Sequence, residues 1–176
     1  RKHKQYKRAE TMYKNILYCF NHDKEAGLEY AGMELNDLAN YEKAENIVRR
    51  EVLDYHINDP DGILLLGDVF LEWGTEKDSS KLENAREQYA TLIQLYKPND
   101  LYLSRMMRYF IRSDNLREVL QLKQTFEPRE KNRAFFMIPH LHFYIKQKEE
   151  KYRPESVEIL EVVGMSEDQY LIADDG

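Results

Sequence analysis

Apolar residues between positions 24 and 57 recur at the spacing of two amphipathic helices. One stripe repeats every three or four residues, at Leu28, Ala31, Leu35 and Leu38. A second stripe follows at Tyr41, Ala44, Val48, Val52 and Tyr55. Residues at these intervals share one helical face. Because neither helix can bury its stripe alone, the pattern predicts helix pairs that stack on one another.

Both stripes recur along the chain, which predicts an array of such pairs. The second helix is marked by a small residue followed four places later by a larger one, starting at Ala9, Ala44, Ala85 and, more weakly, Val119. The first helix is marked by related motifs that start at Leu28, Ile63 and Leu103. The segment WGTEKDSSKLEN adds about six residues to one repeat, and its Gly, Asp and Ser residues indicate a longer turn. Glycine is costly inside a helix, so we expect a neighbouring backbone to lie too close for a Cβ at Gly32 and Gly67.

This spacing, with its recurring small residues, resembles the tetratricopeptide repeat, whose period is 34 residues. The resemblance covers about residues 1–127, although Leu28, Ile63 and Leu103 replace the family's Trp. It implies an all-α fold, a right-handed α-solenoid of antiparallel helix pairs. Residues 1–176 then form one array: the second helix of a truncated repeat (1–21), three repeats (24–57, 60–97 and 100–127), a degenerate repeat (130–163), and a tail or the start of a further helix (164–176).

The sequence also carries local signals. In NDPDG we expect Asp59 to cap a helix, Pro60 to occupy its first turn and Asp61 to complement the helix dipole. Cys19 lies in the apolar stretch ILYCF, so we expect a buried structural thiol. Since residues 2–20 would lack their partner helix, we expect an exposed apolar face at Tyr6, Ala9, Tyr13, Ile16 and Leu17.

Composition narrows the classes of function. The 176 residues carry a net charge of −6, which argues against a nucleic-acid partner because neutralising a phosphate backbone needs a concentrated basic face. No apolar run reaches the roughly 18 to 20 residues that span a bilayer, so we expect no membrane insertion. The single cysteine excludes an internal disulfide and does not identify a compartment.

Catalytic signals are weak. The chain shows no Gly-rich phosphate loop, nucleophile elbow or calcium-loop spacing. His140 and His142 would diverge on a helix, although they could share a metal on an extended segment. We therefore expect a protein that is not an enzyme, with no catalytic residue, metal site or cofactor. A metal-dependent enzyme that uses these two histidines is the less favoured alternative.

The tetratricopeptide resemblance also implies a partner-binding concave face, formed by the first helix of each repeat. Carried over by spacing, with Arg105 added as a neighbouring charge, its residues are Glu29, Met33, Asn36, Asp37, Asp68, Leu71, Glu72, Arg105, Arg108 and Arg112. The acidic members suit a partner that offers basic residues beside an apolar anchor, and the arginines suit acidic residues. The alternative is that these charges are merely solvated. Family members that clamp a C-terminal carboxylate use Lys and Asn where this chain has Glu29 and Met33, so we expect no such clamp.

An aromatic segment near the C-terminus is a second candidate interface. Apolar residues would surround a helix over 135–144 rather than form one stripe. We expect this helix to be buried by a further repeat or by a partner protein, through Phe135, Phe136, Phe143 and Tyr144.

Two stretches, ILLLGDVFLEWG and LSRMMRYFIRSDNLREVLQLK, resemble a narrower group within the family. This group comprises the tetratricopeptide proteins of the periplasmic collar around the flagellar motor of bacteria with internal flagella. The resemblance implies a periplasmic protein-interaction scaffold whose partners are other proteins, including motor or collar components. The alternatives are a peptide- or small-ligand-binding regulatory module and a cytoplasmic location.

Overall fold

The computed structural model describes residues 2–97 and 99–113, together with residues 115 and 118. This part of the chain is entirely helical and contains no strand, which confirms the all-α prediction. The helices are α1 (Lys2–Cys19), α2 (Lys24–Asn36), α3 (Tyr41–Ile47), α4 (Pro60–Glu76), α5 (Lys81–Leu95) and α6 (Asp100–Arg112). A π-helical segment, Val48–Leu53, continues α3. The chain divides into two compact units, Arg1–Tyr96 and Lys97–Gly176.

Helices α2 and α4 begin with the same local structure, 36 residues apart. The Asp23 side chain accepts a hydrogen bond from the Ala26 N–H at 2.8 Å, and the Asp59 side chain accepts one from the Gly62 N–H at 3.1 Å. The residue before each cap is left-handed, with φ of 59° at His22 and 58° at Asn58. Such caps satisfy helix N–H groups that otherwise lack a partner. The prediction that Asp59 is a cap is thus confirmed.

Three successive helical elements of the first compact unit pack in alternating directions. Gly27 of α2 lies against Val52, and Glu34, near the other end of α2, pairs with Lys43. The start of α2 thus contacts the π segment, and the end of α2 contacts the start of α3. Helix α2 therefore runs antiparallel to α3 and the π segment. Helix α4 also packs on α3, with the Trp73 ring stacked on Tyr41. A core cluster shared by α2, α3 and α4 comprises Leu35, Tyr41, Ala44 and Val69.

Helices α4 and α5 form the closest pair. A Cβ built on Gly67 would lie 2.5 Å from Tyr89 Cε1, and one built on Gly74 would lie 2.7 Å from Leu82 Cδ2. The two contacts are antiparallel in the sequence, as a hairpin of helices requires. Tyr89 and Leu92 are fully buried. The turn between the helices contains Asp78, which accepts hydrogen bonds from the Ser80 N–H and hydroxyl. The predicted longer connection is wrong, because four residues, 77–80, join α4 to α5, just as 37–40 join α2 to α3, and α4 is lengthened instead, with 17 residues against 13 in α2.

The π-helical segment fills a gap between α2 and α4 that the sequence pattern did not reveal. Cβ atoms built on Gly27 and Gly62 would lie 2.9 and 3.0 Å from the two γ-methyl groups of Val52. A Cβ on Gly62 would also lie 2.8 Å from Leu53 Cδ2. Glycine at 27 and again at 62 therefore admits one valine between two helices. The wider π turn adds a residue to α3, as π-bulges do.

Two expectations about close packing and burial are wrong. Nothing lies within 4 Å of a Cβ built on Gly32, and the group that crowds Gly67 is the Tyr89 ring rather than a backbone. Cys19 is exposed, because it lies near the end of α1, beside the exposed side chains of Tyr18 and Phe20. Only one face of this helix packs on α2, so an apolar neighbourhood in the sequence does not bury the thiol.

The exposed apolar side chains of α1 are not the ones that the sequence predicted. The predicted ones are all half-buried: Tyr6, Ala9, Tyr13, Ile16 and Leu17. They form the side that packs toward α2, where Tyr13 stacks on Tyr30. The large apolar side chains that α1 and the following residue leave open are Met12, Tyr18 and Phe20, with exposed fractions of 62%, 86% and 67%.

Helix α6 belongs to the second compact unit. The Asn99 side chain caps it by accepting a hydrogen bond from the Tyr102 N–H at 2.9 Å. Its apolar side is strongly developed, and the buried residues are Leu103, Met106, Met107, Tyr109 and Ile111. Capping side chains therefore occur at 23, 59 and 99, before α2, α4 and α6.

Candidate partner-binding face

Helix α2 presents an open polar face that contains three of the predicted site residues. Glu29, Asn36 and Asp37 are exposed, and Gly32 lies between them with open space where a side chain would be. The Asp23 cap and the contact of Gly27 with Val52 fix the opposite face of the helix. The absence of a side chain at Gly32 leaves a shallow notch in this face. A partner's backbone can approach α2 closely there.

Tyr13 of α1 forms one wall of this face. Its ring is stacked on Tyr30, with centroids 5.5 Å apart, and its hydroxyl donates to Glu29 Oε2 at 3.4 Å. Burial, followed by the negative charges of Glu29 and Asp37, raises the pKa of the Tyr13 phenol. The structure therefore brings two predicted acidic residues to one aromatic side chain. Such a wall can contact the apolar stem of a basic side chain while the carboxylates meet its charge.

Two predicted apolar members of the site are interior residues. Met33 is 8% exposed and Leu71 is fully buried. Both contribute to packing instead of offering surface to a partner in this conformation. The spacing argument placed both residues on the binding face because, on each helix, the positions assigned to binding lie next to positions that face the core.

The predicted acidic residues of α4 are engaged within the chain. Asp68 Oδ1 accepts a hydrogen bond from the Tyr89 hydroxyl at 2.6 Å, which joins α4 to α5. Glu72 is half-buried and has an interaction partner of its own. These carboxylates therefore contribute to internal contacts as well as to the charge of the surface. Thr75, one turn farther along α4, donates its hydroxyl to the Leu71 carbonyl.

The predicted basic residues lie together on α6. Arg105, Arg108 and Arg112 are spaced by three and four residues, so they share one side of the helix. All three are half-buried, and each has an interaction partner. Their charges are therefore not free.

Several sequence candidates lie outside the described residues. These are the aromatic interface residues Phe135, Phe136, Phe143 and Tyr144 and the histidines His140 and His142. Within the described ranges, no group of three or more His, Cys, Asp or Glu side chains is arranged to hold a metal ion. None of the helices described above is long and apolar enough to cross a membrane.

A partly buried charge centre beside the open face was not predicted from the sequence. Lys43 Nζ lies 2.6 Å from Glu34 Oε1 and 2.9 Å from Glu10 Oε1, and it also lies over the Tyr30 ring. Glu34 is only 1% exposed. Burial acts to lower the pKa of Lys43, but hydrogen bonds from its ammonium group to Glu34 and Glu10 outweigh burial and raise it. This charge centre joins α1, α2 and α3.

The positions of Glu34 and Lys43 beside the hydrophobic stripes of α2 and α3 indicate this charge centre in part. Glu34 precedes Leu35, so it lies at the edge of the apolar face where a carboxylate needs a buried counter-ion. Lys43, two residues after Tyr41, lies at the corresponding edge of α3. Pairing these two edges would have required the antiparallel register of α2 and α3.

Comparison with known proteins gives no further assignment. No family model matches the chain, and no curated protein or solved structure is significantly similar to it.

Proposed function

We propose that this chain is a non-catalytic protein-interaction scaffold, built as a right-handed α-solenoid of tetratricopeptide-like helix pairs. The observation that carries the proposal is the repetition of one capped helix start after 36 residues. His22 and Asp23 recur as Asn58 and Asp59, with the same left-handed residue and side-chain cap before α2 and before α4. Stacking of a common structural unit is the basis of solenoid proteins, whose continuous faces serve as binding surfaces.

The open face of α2 is the proposed docking surface within the described part of the array. Its exposed carboxylates, Glu29 and Asp37, converge on Tyr13, and the notch at Gly32 admits a close backbone approach. This chemistry favours a protein segment that offers Lys or Arg beside an apolar residue. The predicted members on α4 and α6 extend the proposal to later repeats, where their existing internal contacts would have to adapt.

Site-specific cross-linking tests the proposed face. A photoreactive residue at Asn36 would probe the α2 face, and one at Glu87, an exposed residue of α5, would be the matched control. We expect the Asn36 probe in the full-length protein to yield a discrete cross-linked partner in cells, and Glu29→Lys to reduce the yield. Equal cross-linking at both positions, or no effect of the charge reversal, would refute this docking surface.

The narrower resemblance supports a more specific version of the proposal. In that version the scaffold assembles a periplasmic collar around a flagellar motor, and its partners are motor or collar proteins. A tagged full-length protein should then form foci at motor positions, and those foci should disappear in cells without motors. A uniform cytoplasmic signal would exclude this version and leave the general scaffold proposal intact.

A further inference from the structure

Helix α1 is attached less firmly than the other helices of its compact unit. None of its inward-facing apolar residues is fully buried. In contrast, the neighbouring elements contribute side chains that are entirely inaccessible, including Ala31, Ala44, Val52 and Val69. Apolar burial therefore stabilises the attachment of α1 only modestly.

Polar contacts position α1 on α2 and α3. Glu10 Oε1 lies 2.9 Å from Lys43 Nζ and accepts a hydrogen bond from the Tyr30 hydroxyl at 3.2 Å. The Tyr13 hydroxyl donates to Glu29 at 3.4 Å. All of these contacts are at least partly accessible to solvent, so salt weakens the ionic contribution to the attachment.

The charge centre also makes departure of α1 inexpensive. When Glu10 leaves, Lys43 keeps its 2.6 Å ion pair with the buried carboxylate of Glu34. No buried charge is left without a counter-ion, which is the usual penalty for breaking such a network. The remaining cost is exposure of the strip of α2 that α1 covers, where Tyr13 stacks on the buried Tyr30 ring.

A short hinge connects α1 to this strip. Residues 20–23 form a bend and a turn, and His22 has a left-handed φ of 59°. The hinge is anchored on its far side, because His22 stacks on Tyr55 and its carbonyl contacts His56 Nε2 at 3.2 Å. Rotation would therefore occur before His22, at Phe20 and Asn21.

We propose that the strip of α2 beneath α1 is an exchangeable helix-docking site, and that α1 of a second copy of this chain occupies it. The occupant is specified by the contacts already formed: a helix with an acidic residue for Lys43 and, three residues later, a tyrosine for Tyr30. An exchanged pair restores every contact of the closed chain in trans. It also brings together the exposed Tyr18 and Phe20 side chains next to the two hinges. The exchange does not rest on the proposed scaffold function, although the exchanged α1 also supplies the Tyr13 wall of the α2 face.

Charge-reversal complementation tests the exchange. Full chains that carry Glu10→Lys or Lys43→Glu each place like charges at the centre, so α1 should be released in either variant alone. Mixing the two should give a heterodimer, because each α1 then meets the opposite charge on the other copy. Cys19→Ser in both chains prevents adventitious disulfides at this exposed thiol.

The readouts are solution mass and amide-exchange protection of residues 2–19. We expect the mixture to show the mass of two chains and to regain protection, whereas the chain that carries both reversals should remain closed and monomeric. If Lys43→Glu prevents folding, the unmodified chain at about 1 M salt and rising concentration replaces it. Dimerisation with a protected α1 would support exchange. An α1 that is unprotected in a monomer, or protected in a monomer under all conditions, would overturn it.

Discussion

The attachments of α1 and α5 to their neighbours differ in kind. Helix α5 places fully buried Tyr89 against Gly67, and Leu82 occupies the space beside Gly74. Helix α1 has no comparable buried side chain, and Glu10 connects it to Lys43 through an ion pair. The α4–α5 contact thus depends on shape, whereas the attachment of α1 depends largely on its charged contact with Lys43 of α3.

This difference predicts separate responses to perturbation. Close packing is sensitive to volume, because interiors are as dense as organic crystals and small voids or overlaps are costly. Partly exposed ion pairs are weakened by salt and by changes of pH, and each contributes little to the free energy of unfolding. The substitutions below should therefore act on one region and spare the other.

The largest expected effect follows from removing the aromatic side chain that α5 inserts against α4. Tyr89 is 0% exposed, so Tyr89→Ala should lower the free energy of unfolding by about 3–5 kcal/mol, through lost burial and a cavity. Tyr89→Phe is the matched control. It keeps the ring but removes the hydroxyl that contacts Asp68, and should cost about 1–2 kcal/mol. Chemical denaturation of both variants measures the difference, and equal losses would contradict a packing role for the ring.

Substitution of glycine by alanine on α4 and on α2 tests which helix face is closely packed and which is open. Gly67→Ala places a Cβ against the Tyr89 ring and should destabilise by about 1–3 kcal/mol. Gly32→Ala meets nothing within 4 Å and should stabilise by up to about 1 kcal/mol through helix propensity. The midpoints of urea denaturation distinguish the two, and a destabilising Gly32→Ala would show that the α2 face is not open.

Removing the central cation should disturb the charge-dependent region alone. In Lys43→Met the stem is retained, but the 1% exposed carboxylate of Glu34 loses its counter-ion, which should cost about 1–3 kcal/mol. Lys24→Met is the control, because its partners Asp59 and Asp61 are more accessible, and a loss below about 1 kcal/mol is expected. Hydrogen exchange should show greater opening in α1 than in α5 for Lys43→Met. Uniform opening would argue against a separate charge-dependent region.

Much of the helical framework was predictable from local signals. The NDPDG cap needs only Asp59, Pro60 and the following N–H groups, so its structure follows from adjacent residues. The stripes located α2 and α3 with its π segment, because burial of one face imposes the helical period, but their last members, Leu38 and Tyr55, lie beyond these helices and are exposed.

The features that could not be predicted from the sequence depend on contacts between helices. From the sequence alone, Gly27 and Gly32 are equally plausible positions for close packing against a neighbouring helix. In the structure, only Gly27 contacts Val52. Cys19 looked buried because its neighbours are apolar, yet the end of α1 is not covered. The pairing of Lys43 with Glu34 required the register of two helices. For the same reason, the open α2 face was predicted only in part, with Met33 assigned to a surface on which it does not lie.

The smallest expected effect is a pH dependence confined to α1. Lys14 and Lys43 hold the pKa of Glu10 at about 2, below its ordinary value of 4.5. Lys14 lies on α1 itself, so only the part of the lowering that comes from Lys43 and Tyr30 stabilises the attachment; that part is present above pH 4.5 and is lost as pH falls toward 2. Amide exchange of α1 should therefore accelerate relative to α5 over that window in the unmodified chain. In Glu10→Gln the excess exchange of α1 should already be present at neutral pH and should change less on acidification. If acid opened both helices in parallel while Glu10→Gln behaved as the unmodified chain does, the attachment of α1 would depend on packing, as that of α5 does, and the contrast between the two regions would fail.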